Sequence, residues 1–395
     1  MKILSFEKTI LEWIRTHLNI LFPVIMTLIA IMIRFYGKDF VGGDMAGYFI
    51  PWHEEYVKNG FSALKEQVGD YNIPYQVFVF LISRIPVQEM YMYKLVNGAM
   101  DFLLAYTGSR IVKLASGSSS AGTIAYVSLL FLPEVIFNSS YLGQCDSIFT
   151  SFALLALLYL LKEKYLLSFV FLGCSFAFKL QFVFIVPVFV IAYIMRQKFS
   201  ALNFLIVPAM LMILSIPAYI AGRPVLDVFR MYFFQVYQYH DMSLGFPSFW
   251  TMVGITEFKE FYKFAILMTV AVLGLILYFI MKRNPDLSKA ENILLIAALT
   301  SWTCVLFLPD MHERYGYLVD VLLLMLCVTK RKYFPYAIVP ALVSTCVYFG
   351  HYQTLNLRAA SLIYFTAYLV CMIMAYREYS PAEAERAQKL NSDRN

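Results

Sequence analysis

Apolar runs of about 15–20 residues recur along the whole chain, and they constrain its fold more than any other feature. Lipid offers the backbone no hydrogen-bond partner, so every crossing has to be a helix. A membrane β-barrel would show short alternating segments instead, and the sequence has none. The chain has 395 residues, 60% hydrophobic and 15% charged, whereas a soluble domain carries about a quarter charged residues. An all-α polytopic membrane protein is the expected fold class. The net charge of +6 implies no nucleic-acid partner, because the basic residues fall between apolar segments. Cys145, Cys174, Cys304, Cys327, Cys346 and Cys371 are scattered, form no metal-type pair and read as small core residues. The first apolar run ends in Arg34-Phe35-Tyr36 without a small-x-small site, so no cleavable signal is expected.

Thirteen apolar segments can be drawn, at about 18–33, 73–83, 93–112, 121–137, 148–161, 165–178, 180–195, 201–221, 263–281, 291–308, 315–329, 333–350 and 359–376. Residues 165–195 are too long for one crossing and suit a hairpin, flanked by Lys162 and Lys164 and by Arg196 and Lys198. Lys179 and Gln181 fall near its tip. Segment 73–83 is too short to cross fully. With the N-terminus in the cytoplasm, the short basic loops all become cytoplasmic, in accord with the positive-inside bias. Both termini are then cytoplasmic. The long loops 35–72 and 222–262 fall outside, together with "YLGQCD" (141–146), the Lys179 tip, "PDMHER" (309–314) and "HYQTLNLR" (351–358). Residues 1–376 read as one membrane domain and 377–395 as a solvated tail, with no internal repeat of the kind many transporters carry.

The unusual polar residues gather at the outer ends of the apolar segments. Asp44 follows two glycines just after the first crossing. It either caps a helix starting at Met45 or stands ready as a general base. Trp52, with Tyr48, Phe49, Tyr56 and Phe61, suits an amphipathic helix at the membrane interface, and His53, Glu54 and Glu55 would form its wet face. Gln144 and Asp146 precede a helix, where Asp146 also fits a cap. Lys179 sits inside an apolar hairpin; such a cation is either paired and functional or snorkels to the surface. Asp310 and Glu313 have the spacing of a capping box. His312 and Arg314 have no such explanation. A membrane-edge arginine beside a histidine suits a phosphate. Asp101 and Asp320 lie deeper and call for buried partners.

Taken in order, "GGDMAGYFIPW", "FSALKEQVGDYNIPY", "LGQCDSIFTSFALLALLYLLK", "SFAFKLQFVFIVP" and "FLPDMHERYGYLVD" make the chain resemble the integral-membrane GT-C glycosyltransferases. The likeness is to bacterial relatives of the second mannosyltransferase of GPI-anchor synthesis and to dolichyl-phosphate-glucose-dependent glucosyltransferases. It runs from about residue 40 to 320. The resemblance implies an inverting transfer of one sugar from a polyprenyl-phosphate donor to a glycan or lipid-linked acceptor on the outer face of the cell membrane. It implies Asp44 as base, Gly143, Gln144 and Asp146 in a WGQxD-type motif with Leu142 in place of tryptophan, and Lys179 and Gln181 in a Lys-Leu-Gln motif. His312, Glu313, Arg314 and Tyr315 match its His-Glu-Arg-Tyr motif. Arg314, His312 and Lys179 are then the expected donor-phosphate ligands, and Gln144, Asp146, Gln181, Trp52 and Tyr315 the expected substrate contacts. Many relatives carry two adjacent acids in the first loop, but Met45 follows Asp44 here, so no divalent metal and no other cofactor is expected. A phosphate leaves without a strong acid, so one base and a cationic pocket suffice. This differs from the two-carboxylate pattern of glycosidases. The competing readings are a transporter or flippase of lipid-linked sugars, a ligase using a diphosphate-linked oligosaccharide, and a degenerate member acting as a structural partner.

Overall fold

The computed structural model describes residues 4–236, 238–349 and 356–379. Most of the expected outer segment 351–358, and the tail from residue 380 on, lie outside the described residues. The first half forms α1 (Ser5–Tyr36), α2 (Ile50–Asn59), α3 (Ile73–Ile82), α4 (Glu89–Ser116), α5 (Ser119–Leu130), α6 (Pro133–Ile136), α7 (Asp146–Leu161), α8 (Tyr165–Phe178) and α9 (Val186–Arg196). The second half forms α10 (Ile206–Leu214), α11 (Ile216–Ile220), α12 (Asp227–Val236), α13 (Phe249–Val253), α14 (Phe258–Arg283), α15 (Ala290–Phe307), α16 (Tyr317–Thr329), α17 (Phe334–Phe349) and α18 (Leu357–Glu378). Four of them, α1, α14, α15 and α18, are long and apolar enough to cross a membrane. The bent pair Ser119–Leu130 and Pro133–Tyr141 makes up to a fifth. Most of the other expected crossings fall on apolar helices of 10–17 residues, whereas 93–112 lies within the 28-residue α4.

The breaks have local causes. Pro133 lacks an N–H and pushes Leu132 to φ −63, ψ 121, which ends α5 and gives the 52° bend. Between α8 and α9 Lys179 is extended (φ −153, ψ 138), a short 3₁₀ turn follows, and Pro187 opens α9. The two ends of this hairpin meet again through Arg196 and Lys198, each 2.6 Å from Glu163. Helix α3 has ten residues, most of them buried, which fits the expectation that segment 73–83 is too short to cross fully. At about 1.5 Å per residue it spans only half of a bilayer core.

The main core surrounds α15, which is buried along nearly its whole length, and draws on α4, α5, α7, α8, α9, α16 and α18. A second core joins α2, α3, the start of α4, α10 and α12. Helix α1 stands at the edge, with only Ala30 and Arg34 buried. Its anchors are Thr27, whose hydroxyl meets that of Tyr126 at 3.0 Å, and Arg34, whose Nε donates to Asp101 at 2.8 Å. Ser139 also donates to Asp101 at 2.5 Å. Asp101 thus has the partner that its depth demanded.

The chain is all-α as expected, apart from one short pairing in which strand β1 (Ser243–Leu244) runs parallel to β2 (Met311–His312). Three expectations need correction. Asp310 and Glu313 form no capping box, because α16 starts only at Tyr317 and the backbone N–H groups of Asp310 and Glu313 go to Asp241 and Leu244. His53 is buried against Tyr93 rather than on the wet face of α2, while Glu54 and Glu55 are exposed. The last helix runs on to Glu378, held by Lys330 at 2.5 Å and Lys332 at 3.0 Å, so the folded domain extends past residue 376.

Removing one partner of a buried ion pair leaves an uncompensated charge, which costs about 3–5 kcal/mol. Asp101→Ala is therefore expected to lower the unfolding temperature of the purified protein markedly, and Arg34→Met combined with it to restore much of the loss. Thermal unfolding in detergent or nanodiscs reads both.

Candidate functional site

The chain after α1 is pinned before it reaches Asp44. Lys94 donates to the carbonyls of Gly37 and Lys38 at 2.9 Å and of Phe40 at 2.5 Å. Gly42 lies so close to Leu142 that a Cβ would come within 2.9 Å of its side chain, which explains one glycine of the pair. Asp44 heads a single wide turn, Met45–Phe49, with no capping bond from its side chain. Its Oδ2 instead accepts a 2.5 Å hydrogen bond from Gln144 Nε2. The cap reading of Asp44 is therefore not the one the structure adopts.

Gln144 and Asp146 are delivered by the turn into α7. Gly143 sits at φ +70 against the methyl of Met45, a conformation and a contact that only glycine tolerates. Asn138 holds the turn from behind. Its carbonyl accepts from Gln144 N at 2.8 Å, and its Nδ2 donates to Asp146 Oδ2 at 2.8 Å and to the Tyr348 hydroxyl at 2.6 Å. Asp146 opens α7 without capping it. It is buried, and its Oδ1 lies 2.5 Å from Lys179 Nζ. Lys179, buried at the α8–α9 break, is ringed by Tyr71, Phe149 and Tyr315, each ring centroid 5.9 Å away. It does not snorkel.

Arg314 completes the cluster from the loop after α15. Its Nη1 is 2.9 Å from Glu313 Oε1 and 3.7 Å from Asp44 Oδ2, and its Nε is 3.9 Å from Asp146 Oδ2. Nε has no hydrogen-bond partner. His312 Nδ1 lies 3.6 Å from Glu313 Oε2. Burial lowers the pKa of His312, more than Glu313 raises it, which keeps the imidazole neutral near pH 7. Burial opposes ionisation of Glu313, but the neighbouring Arg314 and His312 outweigh it and hold its carboxyl at about 2.

The cluster forms one wall of a cavity of about 370 Å³, within the usual range for small-molecule sites. Lys179, Gln181, His312, Arg314 and Tyr315 line it. Tyr71, Asp70, Gln235, Gln238, Tyr239 and Asp310 add a further polar wall, and Leu180, Val183 and Ile266 an apolar one. Gln181 Oε1 is buried without a hydrogen-bond partner. Asp44 is not among the lining residues and reaches the cavity wall through Arg314. Trp52 is displaced from this group. It packs edge-on against Phe49 and Tyr71 and borders a separate surface groove with Glu55, Asn59 and Gln67. Asn138, Gln235 and Gln238 were not singled out by the sequence, and Tyr71 entered only within the "FSALKEQVGDYNIPY" motif. Of the first three only Asn138 carried a signal, as the start of a polar Asn-Ser-Ser run inside an apolar segment. Among the described residues no group of three or more His, Cys, Asp or Glu side chains is arranged to hold a metal ion.

No family model matches the chain, and no curated protein is significantly similar to it.

Asp310 has a left-handed backbone (φ +58), and its Oδ1 is buried without a partner. Burial pushes its carboxyl from the ordinary 3.8 up to about 7. A carboxyl whose folded pKa is raised contributes stability at low pH that is lost as pH rises through the folded value. Wild type is thus expected to lose stability relative to Asp310→Asn as pH rises from 3.8 to about 7. Unfolding temperatures of the two proteins across that range check it, and parallel curves would refute the assignment.

Proposed function

We propose that the chain is a membrane-bound hexosyltransferase that moves one sugar from a polyprenyl-phosphate donor to a glycan or lipid-linked acceptor, with inversion. The observation that carries this reading is the meeting of Asp44, Asp146, Lys179 and Arg314, from four separate stretches of chain, beside one cavity that Lys179 and Arg314 line. The amide and tyrosine side chains of that cavity suit sugar hydroxyls, and its apolar wall suits the start of a lipid chain. Asp44 is 43% exposed, so an acceptor hydroxyl can reach it from solvent.

In this reading Asp44 takes the proton from the acceptor hydroxyl. The acceptor oxygen bonds to the anomeric carbon as the bond from that carbon to the phosphate oxygen breaks. Arg314 and Lys179 stabilise the charge left on the phosphate. Gln144 holds Asp44 in place. The resident charges are three carboxylates (Asp44, Asp146, Glu313) and two cations, so the phosphate competes with Glu313 for the Arg314 guanidinium. The basic ends of the helices support an orientation with the site on the outer face and both termini in the cytoplasm. The chemistry needs no metal or cofactor beyond the lipid-linked donor.

A transporter of lipid-linked sugars is the second reading. Two buried acids deep in the bundle, Glu134 and Asp320, are the observation that favours it.

The test is a transfer assay in oriented vesicles with a panel of polyprenyl-phosphate sugars. Asp44→Asn is expected to lower turnover by about 10²–10⁴-fold, the usual contribution of a general base, and to leave donor binding intact. Near-normal turnover in the Asn variant would remove Asp44 from the mechanism. Sugar crossing the membrane without forming a new glycosidic bond would favour the transporter.

A further inference from the structure

Four buried side chains from four helices converge where the transfer site does not use them. Glu134 follows the Pro133 break, Asp320 lies in the first turn of α16, Ser344 on α17 and Tyr364 on α18. None is more than 2% exposed. Asp320 and Ser344 act electrostatically on Glu134, Glu134 and Ser344 on Asp320, and both acids on the Tyr364 hydroxyl. A Cβ on Gly316 would lie 3.0 Å from Ser344 Oγ and 3.4 Å from Asp320 Oδ2, so the lack of a side chain there lets α16 and α17 close on this spot.

Five oxygens in this cluster find no hydrogen-bond partner beyond one another: Glu134 Oε1, both carboxyl oxygens of Asp320, Ser344 Oγ and the Tyr364 hydroxyl. Among the described residues neither acid has a basic partner. The buried cations Arg34 and Lys179 are engaged elsewhere, with Asp101 and Asp146. Asp146 adds further negative charge on Glu134.

A buried carboxylate without a partner costs several kcal/mol. Two such groups side by side do not both stay charged without a counter-charge. No side chain supplies one, so it comes from outside the chain. Every donor is oxygen, which suits a hard cation rather than a soft one. We infer that Glu134, Asp320, Ser344 and Tyr364 form a buried cation site, distinct from the transfer site, that holds one small hard cation, either a metal ion or a proton. Both sources answer the same charge and the same oxygens. The site ties the bent α5–α6 segment to α16, α17 and α18, so its occupancy is read as stability. The inference does not rest on the transferase reading.

The experiment is thermal unfolding of the full chain in nanodiscs, stripped with a chelator, from mildly acidic to mildly alkaline pH, with Na⁺, Mg²⁺ or Ca²⁺ added in turn. A metal ion gives an unfolding temperature that rises with the logarithm of one cation's concentration at alkaline pH. A proton gives one that falls as pH rises and ignores the metals, because a carboxyl protonated only in the folded state loses its contribution on deprotonation. In either case Glu134→Gln and Asp320→Asn are expected to abolish the dependence. Should those variants not fold, Ser344→Ala keeps both acids and is expected to move the midpoint of the dependence. The inference is overturned if wild type and variants respond identically to pH and to every cation, or if Ser344→Ala leaves the midpoint where it was.

Discussion

The Lys179–Asp146 ion pair is the contact on which the rest of the site depends. Its two members come from opposite kinds of interruption: Asp146 from the tight turn that opens α7, Lys179 from the extended residue that ends α8. Both are buried, and neither is tolerable there alone. Their pairing locks the α8–α9 break against the start of α7, sets the position of Asn138 and leaves Asp146 within reach of Arg314. Through Gln144, on the same turn, it also fixes where Asp44 stands.

Charge balance gives this arrangement its chemical character. Lys179 and Arg314 face three carboxylates, so the resting site holds its cations by internal pairing rather than leaving them bare. That suits a substrate whose phosphate is present only when bound. In the proposed function Arg314 would exchange one carboxylate for the phosphate, and its Nε, which has no hydrogen-bond partner, is open to that contact. The loop that carries it is held by the short pairing of Met311–His312 with Ser243–Leu244.

Much of this was legible in the sequence, because polar residues at the ends of apolar segments have few places to go. Asp44, Gln144, Asp146, Lys179 and Arg314 were all visible that way, and the structure brings them together. What the sequence hid was pairing across distance. Asp101 needed a partner, but nothing in local spacing pointed 67 residues back to Arg34. Asp310 and Glu313 have cap spacing yet sit in an irregular loop, because pairing with 241–244 overrides the local preference. His53 lies among charged neighbours and is nonetheless buried, because α2 packs on α4 rather than lying free at an interface. Of the thirteen apolar runs only some become helices long enough to cross a membrane on their own, because Pro133 and the Lys179 break divide two of the longer apolar stretches.

The central claim is that the Arg314 end of the cavity is built for a lipid-linked phosphate. Binding of a polyprenyl monophosphate and of the matching polyprenol to the purified protein, followed by native mass spectrometry, tests it most directly. The account predicts that wild type prefers the phosphate and that Arg314→Met removes most of the preference, a loss of about 2–4 kcal/mol by comparison with other anion-binding contacts. Equal binding of phosphate and alcohol by wild type, or an unchanged preference in Arg314→Met, would contradict it.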